Sequence, residues 1–200
     1  MTDIAFLRHG PTAWSVIGRL QGRADLPLSP EGRAGLAGKR PPPPFDACRC
    51  LTSPLARARE TAALLGCEAV IEPAVIEMDW GAYEGRTIEE LRADPALDFA
   101  ANEGRGLDLT PPGGESPRMV QARLRRWLDS LIDERLLVIS HKGVIRALAA
   151  MATDWPMQGK PPARFDWRCL QVFRWEAGRL ALAAVNLPLI DPRTPMIAAP

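Results

Sequence analysis

Apolar residues along the chain fall into two patterns: short unbroken runs, and stretches that return every three or four positions. The first predicts buried strands and the second predicts amphipathic helices. Ile4-Ala5-Phe6-Leu7 is a run of the first kind, and it ends at Arg8-His9-Gly10. Ala47–Thr52 and Leu136–Ser140 read as two further strands, with short extended pieces at Val70-Ile71 and Ala74-Val75-Ile76 around Pro73. Leu170–Trp175, a turn near Gly178, and Leu180–Val185 predict a C-terminal hairpin.

Helices are announced by their starts. Ser29-Pro30 supplies a cap followed by a proline at the first helical position, and the helix is expected to stop before Pro41-Pro42-Pro43-Pro44. Ser53-Pro54 repeats the signature and predicts a helix to about Leu65, ended near Gly66. Thr87–Ala93 and Pro95–Ala101 read as short helices, and Gly143–Met151 as a helix behind the third strand. Ser116 to about Asp133 carries Met119, Val120, Leu124, Trp127, Leu128 and Leu131 on one side. Pro11–Leu28 and residues 102–114 read as loops, the second with four glycines and two prolines. The four prolines predict a stiff polyproline connector.

Strands that alternate with helices predict a three-layer α/β/α fold with a largely parallel central sheet. Such sheets bind ligands at the carboxyl ends of their strands, where the turns after Leu7, Thr52 and Ile139 lie. A length of 200 residues predicts one domain spanning 1–200. A net charge of +1 excludes a broad basic face, so neither nucleic acid nor membrane is an expected partner. The start of the chain, with Asp3 and Arg8, does not read as a signal peptide, and no apolar run reaches the length of a membrane span. Cys48-x-Cys50 lacks zinc-knuckle spacing, and alternation puts both cysteines on one strand face as structural residues. Reduced thiols predict a cytoplasmic protein.

Chemistry enters with the histidines, of which there are two. His9 and His141 each follow an apolar run and stand just before a glycine-containing turn. Arg8 adjoins the first, and Arg57 is the fourth residue of the helix expected from Ser53. Guanidiniums offer forked donors matched to phosphate oxygens. A neutral imidazole is a nucleophile for phosphorus, and neighbouring cations keep it neutral. A second imidazole, when protonated, stabilises the charge of a phosphoryl group in transfer. The leaving alcohol needs a proton donor, and Glu77-Met78-Asp79-Trp80-Gly81-Ala82-Tyr83-Glu84-Gly85 offers three carboxyls.

These blocks resemble the histidine phosphatase superfamily, the phosphoglycerate-mutase-like proteins. Arg8-His9-Gly10-x-Thr12 is similar to its opening motif, and Leu20-Gln21-Gly22 with Pro27-Leu28-Ser29-x-x-Gly32 to its next blocks. Ser53-Pro54-Leu55-Ala56-Arg57-Ala58 resembles its arginine helix. Glu77-x-Asp79-Trp80-Gly81 resembles its acid loop, and Ser140-His141-x-Gly143-Val144-Ile145-Arg146 its second histidine turn. The resemblance implies a phosphoglycerate-mutase-like fold with His9 as the phosphorylated nucleophile and Arg8, Arg57 and His141 around the phosphoryl group. It makes Glu77 the proton donor, ahead of Asp79 and Glu84, and places Gln21 and Gly22 beside the substrate. It implies no metal and no diffusible cofactor.

Three positions depart from the family pattern. Ser15 stands where an asparagine often meets the phosphate, and a shorter hydroxyl weakens that contact. Glu60 replaces a glutamine, a surface change. Lys142 replaces a glycine; it either reaches an anionic substrate or sits solvated at a helix start. Arg146 is expected in a salt bridge or cap, Glu84 as a structural hydrogen bonder, and Trp14 and Trp80 at the pocket mouth.

The expected function is hydrolysis of a small phosphomonoester, a phosphorylated metabolite, through phosphohistidine. The alternatives are a phosphoglycerate mutase and a non-catalytic phospholigand-binding module. The short stretch from residue 86 to 140 favours hydrolysis over a mutase, and retention of His9, Arg57, Glu77 and His141 argues against the silent module. Loops 11–27 and 99–115 are expected to set specificity. The C-terminal hairpin is expected to offer an edge along which a homodimer pairs.

Overall fold

The computed structural model describes residues 1–132 and 134–191. Its centre is a six-stranded sheet in the order β3-β2-β4-β1-β5-β6. The strands are β1 (Thr2–Arg8), β2 (Arg49–Thr52), β3 (Ala69–Ile71), β4 (Arg135–Ser140), β5 (Leu170–Glu176) and β6 (Arg179–Leu187). The pairs β2/β3, β2/β4 and β1/β4 are parallel, and the hairpin β5/β6 joins antiparallel to β1. The sheet is therefore largely parallel in its centre, as the alternating pattern predicts.

Alternation along the strands builds the two helical layers. Ile4, Phe6, Leu136 and Val138 face one side and pack on α6 (Pro117–Asp129) and α7 (Lys142–Thr153) through Val120, Leu124, Leu128, Ile145 and Leu148. Ala5, Leu7, Leu137 and Ile139 face the other side. There they meet Leu36 of α2 (Pro30–Leu36) and Ala58 and Ala62 of α3 (Ala56–Leu64). Cys48 and Cys50 share this second face, and the chain's four cysteines are free thiols. Strands buried on both faces read as unbroken apolar runs, which is why β1 and β4 were legible from sequence.

The caps explain where several helices begin. Ser29 Oγ accepts the Gly32 N–H at 3.0 Å, and Ser116 Oγ accepts the Met119 N–H at 3.2 Å. A first short helix, α1 (Ala13–Val16), lies inside the segment expected to be loop. Thr12 and Ser15 hold it by bonding each other's backbone, a reciprocal capping box. Helix α4 (Ile88–Ala93) is capped in the same way by Thr87 and Glu90. Helix α5 spans Phe99–Glu103, four residues later than its expected start.

Other expectations need correction. Ser53 does not cap α3: the helix begins at Ala56 with Leu55 as its cap residue, so Arg57 is its second residue. Helix α6 ends at Asp129, and Asp133 lies outside the described residues. Met119, placed on the apolar side by its spacing, is 52% exposed. Residues 73–75 wind into a short 3-10 turn instead of extending, because Glu72 accepts the Ala74 N–H. The four prolines turn back at residues 43–44, with the Phe45 N–H donating to Pro42 O at 2.9 Å. Phe45 thereby reaches the core beside Leu36, and this burial outweighs the extended preference of proline. Among the described residues, no helix is long and apolar enough to cross a membrane.

Candidate functional site

Three adjacent strands, in the order β2-β4-β1, end level with one another. Arg8 pairs with Ser140, and Thr52 with Ile139. The next residue on each strand therefore enters the same space. The His9 N–H donates to Ser140 O at 2.9 Å, and the Ser53 N–H to Ile139 O at 3.0 Å. His9, His141 and Ser53 meet at the sheet's carboxyl edge, with the imidazole centroids 5.1 Å apart.

His9 is oriented from both ring nitrogens. Nδ1 lies 2.7 Å from Gly10 O, which only accepts, so Nδ1 carries the hydrogen. Arg57 Nε donates to His9 Nε2 at 3.2 Å, which identifies Nε2 as the lone pair. Arg57 is fully buried and also donates to Ala24 O and Gly22 O, each at 2.8 Å. Three of its five N–H groups are thus taken and two remain. Thr61, one turn along α3, accepts the Gly10 N–H at 3.0 Å and fixes the turn after His9.

Both imidazoles are held neutral. Burial pushes His9 well below the ordinary histidine value, and the charges of Arg57 and Arg8 add to it. Burial does the same to His141, followed by His9, Arg57, Arg123 and Arg8. His141 Nε2 and Ser53 Oγ share a hydrogen bond of 2.7 Å. His141 Nδ1 and Arg8 Nε are buried without a protein partner, as is Gln21 Oε1. Of these, the Arg8 N–H and a protonated His141 Nδ1 are donors that an anionic ligand satisfies, whereas Gln21 Oε1 accepts and calls for a donor on the ligand.

Glu77 is brought in from the side. Ser140 Oγ donates to Val75 O at 2.7 Å, and Arg123 donates to Ala74 O and Ile76 O. Arg123 is itself paired with Glu115 at 3.2 Å, both nearly buried. The carboxyl of Glu77 accepts the Met78 N–H at 2.8 Å and the Gly143 N–H at 3.2 Å. A Cβ on Gly143 would overlap Glu77 Oε1, so this close approach requires glycine. Burial raises the Glu77 carboxyl above the ordinary range, although the two N–H groups and Arg57 pull against it.

Arg8, His9, Gln21, Gly22, Arg57 and Glu77 line one cavity of about 550 Å³, and His141 is in contact with it through the His9 ring rather than as part of the lining. Segments 11–27 and 99–115 supply more of its wall through Ser15, Leu20, Phe99 and Leu109. Ser15 reaches the cavity, yet its hydroxyl accepts the Thr12 N–H and donates to Thr12 O. Lys142 is exposed at the first position of α7 and also lines the cavity, with its Nζ 5.5 Å from the centroid of the Trp167 ring. Trp80 lines the cavity, whereas Trp14 packs against Gly85.

The two rival carboxyls are engaged elsewhere. Asp79 accepts the Gly81 N–H, and Glu84 accepts the N–H groups of Arg23 and Ala24, the structural role expected of it. Arg146 makes neither a salt bridge nor a cap; its guanidinium lies 4.9 Å from the Trp155 ring centroid, and it joins the cavity wall. Ser53, Thr61 and Arg123 were missed as parts of the site. Ser53-Pro54 imitates a helix start, so its position after a strand end was the only sequence signal for its other use.

The sequence profile of the histidine phosphatase superfamily (branch 1) matches residues 4–188. The metal-independent phosphoserine phosphatase of Arabidopsis thaliana is 30% identical over 176 residues, 80% of this chain and 72% of that one. A protein named "Probable phosphoglycerate mutase GpmB" from Photorhabdus laumondii is 31% identical over 155 residues, 70% of each chain. The chain spans 44% of the length of mycobacterial relatives to which it is 34% identical. Among solved structures, mycobacterial glucosyl-3-phosphoglycerate phosphatase complexed with VO3 superposes with a TM-score of 0.72 at 27% identity. That match covers 92% of this chain and 98% of the other. With the profile spanning both histidine turns, the arginine helix and the acid loop, the chain belongs to branch 1 of the histidine phosphatase superfamily.

Proposed function

We propose that this chain, as one domain, hydrolyses a small phosphomonoester through a phosphohistidine on His9. The observation that carries the reading is the tautomer of His9: Nδ1–H bound to Gly10 O, and the Nε2 lone pair facing the cavity chemistry beside Arg57. Arg8, the free N–H groups of Arg57 and His141 hold the phosphoryl oxygens. His9 Nε2 attacks phosphorus, the bond from phosphorus to the ester oxygen breaks, and the Glu77 carboxyl gives its proton to the departing alkoxide. The Glu77 carboxylate then takes a proton from water, whose oxygen attacks phosphorus and breaks the P–N bond. Inorganic phosphate leaves and the neutral imidazole is restored. The incoming dianion offsets the arginine charges, which favours a proton on His141 where it stabilises the transfer.

The phosphatase names of two relatives support hydrolysis, and one of those names supports independence of metal. The mutase name of another relative keeps transfer between two positions of one phosphoacid as the second reading. The free cysteines support a cytoplasmic location. The outer edge of β6, where the sheet ends, is the surface along which two copies are proposed to pair.

Phosphate release from a panel of small monoesters, with EDTA present, tests the central reading. Release from one or a few of them is the expected result. Isomerisation of 3-phosphoglycerate without release makes the chain a mutase, and loss of activity in EDTA removes the metal-independent mechanism.

The pH profile follows from the two shifted groups. His9 is depressed below 6.5, so the nucleophile stays unprotonated as pH falls past that value. Glu77 is raised above 4.5, so the proton donor persists as pH rises past that value. The plot of kcat/KM against pH is expected to hold its plateau below pH 6.5, with an alkaline limb set by Glu77. In Glu77→Gln the alkaline limb should vanish; a limb that remains unchanged assigns it to another group.

A further inference from the structure

Six cationic side chains line the cavity, and they are not equivalent. Arg92 pairs with Glu103 at 2.7 Å, and Arg19 with Glu90 at 3.4 Å. Arg57 and Arg8 stand at the histidines. Lys142 and Arg146 remain, and neither has an ion pair or hydrogen bond among the described residues. They lie four residues apart on α7, hence on one face and about 6 Å apart along the axis.

Each is held by an aromatic ring in place of a carboxylate. Arg146 lies over Trp155, which is buried, and Lys142 lies over Trp167. A ring face orients a cation without neutralising it. Glu77 acts on Lys142 but is outweighed there: desolvation, then the positive charges of Arg8 and Arg146, hold the ammonium below its ordinary range. For Arg146, desolvation alone acts and no carboxylate offsets it. The wall thus carries a row of like charges, Arg57, Arg8, Lys142 and Arg146, each acting electrostatically on its neighbour. Only the first two are needed for a phosphoryl group at His9. Arg146 is part-buried and Lys142 exposed, and neither charge is paired among the described residues, so both stand available to a ligand anion.

We infer that Lys142 and Arg146 form a second anion subsite in the cavity they share with His9, which binds a carboxylate or a second phosphoryl group on the substrate. The inference deepens the proposed function and rests on it for the position of the first anion. It makes the substrate class a small phosphomonoester with a second negative charge, as opposed to a neutral sugar or simple alcohol phosphate. It also gives Lys142, one of the three residues that depart from the family pattern, a role in selecting the substrate.

Binding tests this without turnover. Calorimetry would compare 3-phosphonopropionate with its carboxyl methyl ester, and a bisphosphonate of the same length with its half-neutralised ester. The wild-type protein is expected to prefer the form with the second charge by roughly tenfold or more, the range of a charge-assisted contact. That ratio should fall towards one in Arg146→Gln and in Lys142→Gln, and recover in part in Arg146→Lys. Whichever of the two compounds shows the larger ratio tells a carboxylate from a phosphoryl group. Equal affinity for charged and esterified forms, no binding of either, or a ratio that persists in both variants overturns the subsite. None of these outcomes depends on phosphate release, so hydrolysis without charge preference would leave the phosphatase reading standing and remove this one alone.

Discussion

His9→Ala is expected to lower phosphate release by about ten thousand-fold or more, the range seen when a covalent nucleophile is removed. No other imidazole replaces it. The His141 ring lies beside it, bonded through Nε2 to Ser53, and among the described residues it makes no hydrogen bond with Arg57 of the kind that orients His9 Nε2. Wild-type protein quenched during turnover should carry an acid-labile phosphoryl label, and the variant should carry none. A label that survives in His9→Ala would sink the assignment. Because His9 is buried and partnered with Arg57, the alanine variant also loses packing, so His9→Gln should be measured beside it. Glutamine keeps a polar group near Arg57 but presents no nucleophilic nitrogen. The same loss of label with an intact thermal transition separates chemistry from folding.

Glu77→Gln is expected to act on alkyl and aryl esters very differently. A general acid contributes about a hundredfold to ten thousand-fold when the leaving group is a poor one. For an alkyl phosphomonoester, kcat/KM should fall by that range. For p-nitrophenyl phosphate, whose leaving group departs without a proton, it should fall by about tenfold or less. Glu77 also activates water in the second step. The variant should therefore release p-nitrophenol in a burst close to the enzyme concentration and then stall as phosphoenzyme. Equal losses on both esters, with no burst, would mean that another group donates the proton. Asp79 and Glu84 are poor substitutes, since each is already bound to backbone N–H groups outside the cavity. Glutamine can still accept one of the two backbone hydrogen bonds at position 77, so the loop should keep its place.

Much of the site was legible because its parts are local. A strand end followed at once by His9-Gly10 or by His141 is a feature of a few consecutive residues. So is an arginine in the first turn of α3 or a glutamate after a short apolar piece. The strands β1 and β4 were legible for the same reason, being buried on both faces. The failures share a different cause. Ser53 reads as a cap because Ser-Pro begins many helices; its hydrogen bond to His141 spans 88 positions. Arg146 reads as a salt-bridging or capping residue of a helix, and its place against Trp155 depends on where the chain returns after α7. The α1 helix was hidden because it is four residues long and held by Thr12 and Ser15, with no buried face to give it a period.

The amino-acid order by itself therefore determined the strands and most helix starts, which depend on backbone preferences and apolar spacing within a turn or two of the chain. The resemblance of its motifs to a family singled out His9, Arg8, Arg57, Glu77 and His141 as the candidate site. Tertiary structure alone decided what those residues are to one another. The sheet order β2-β4-β1 sets Ser53, His141 and His9 side by side, and Gly143 admits Glu77 from 66 positions away. The cavity leaves Lys142 and Arg146 against rings, with no ion pair among the described residues. The physical reason is that burial, tautomer and uncompensated charge are properties of a packed environment, assembled from segments whose separation along the chain carries no record of their distance in space.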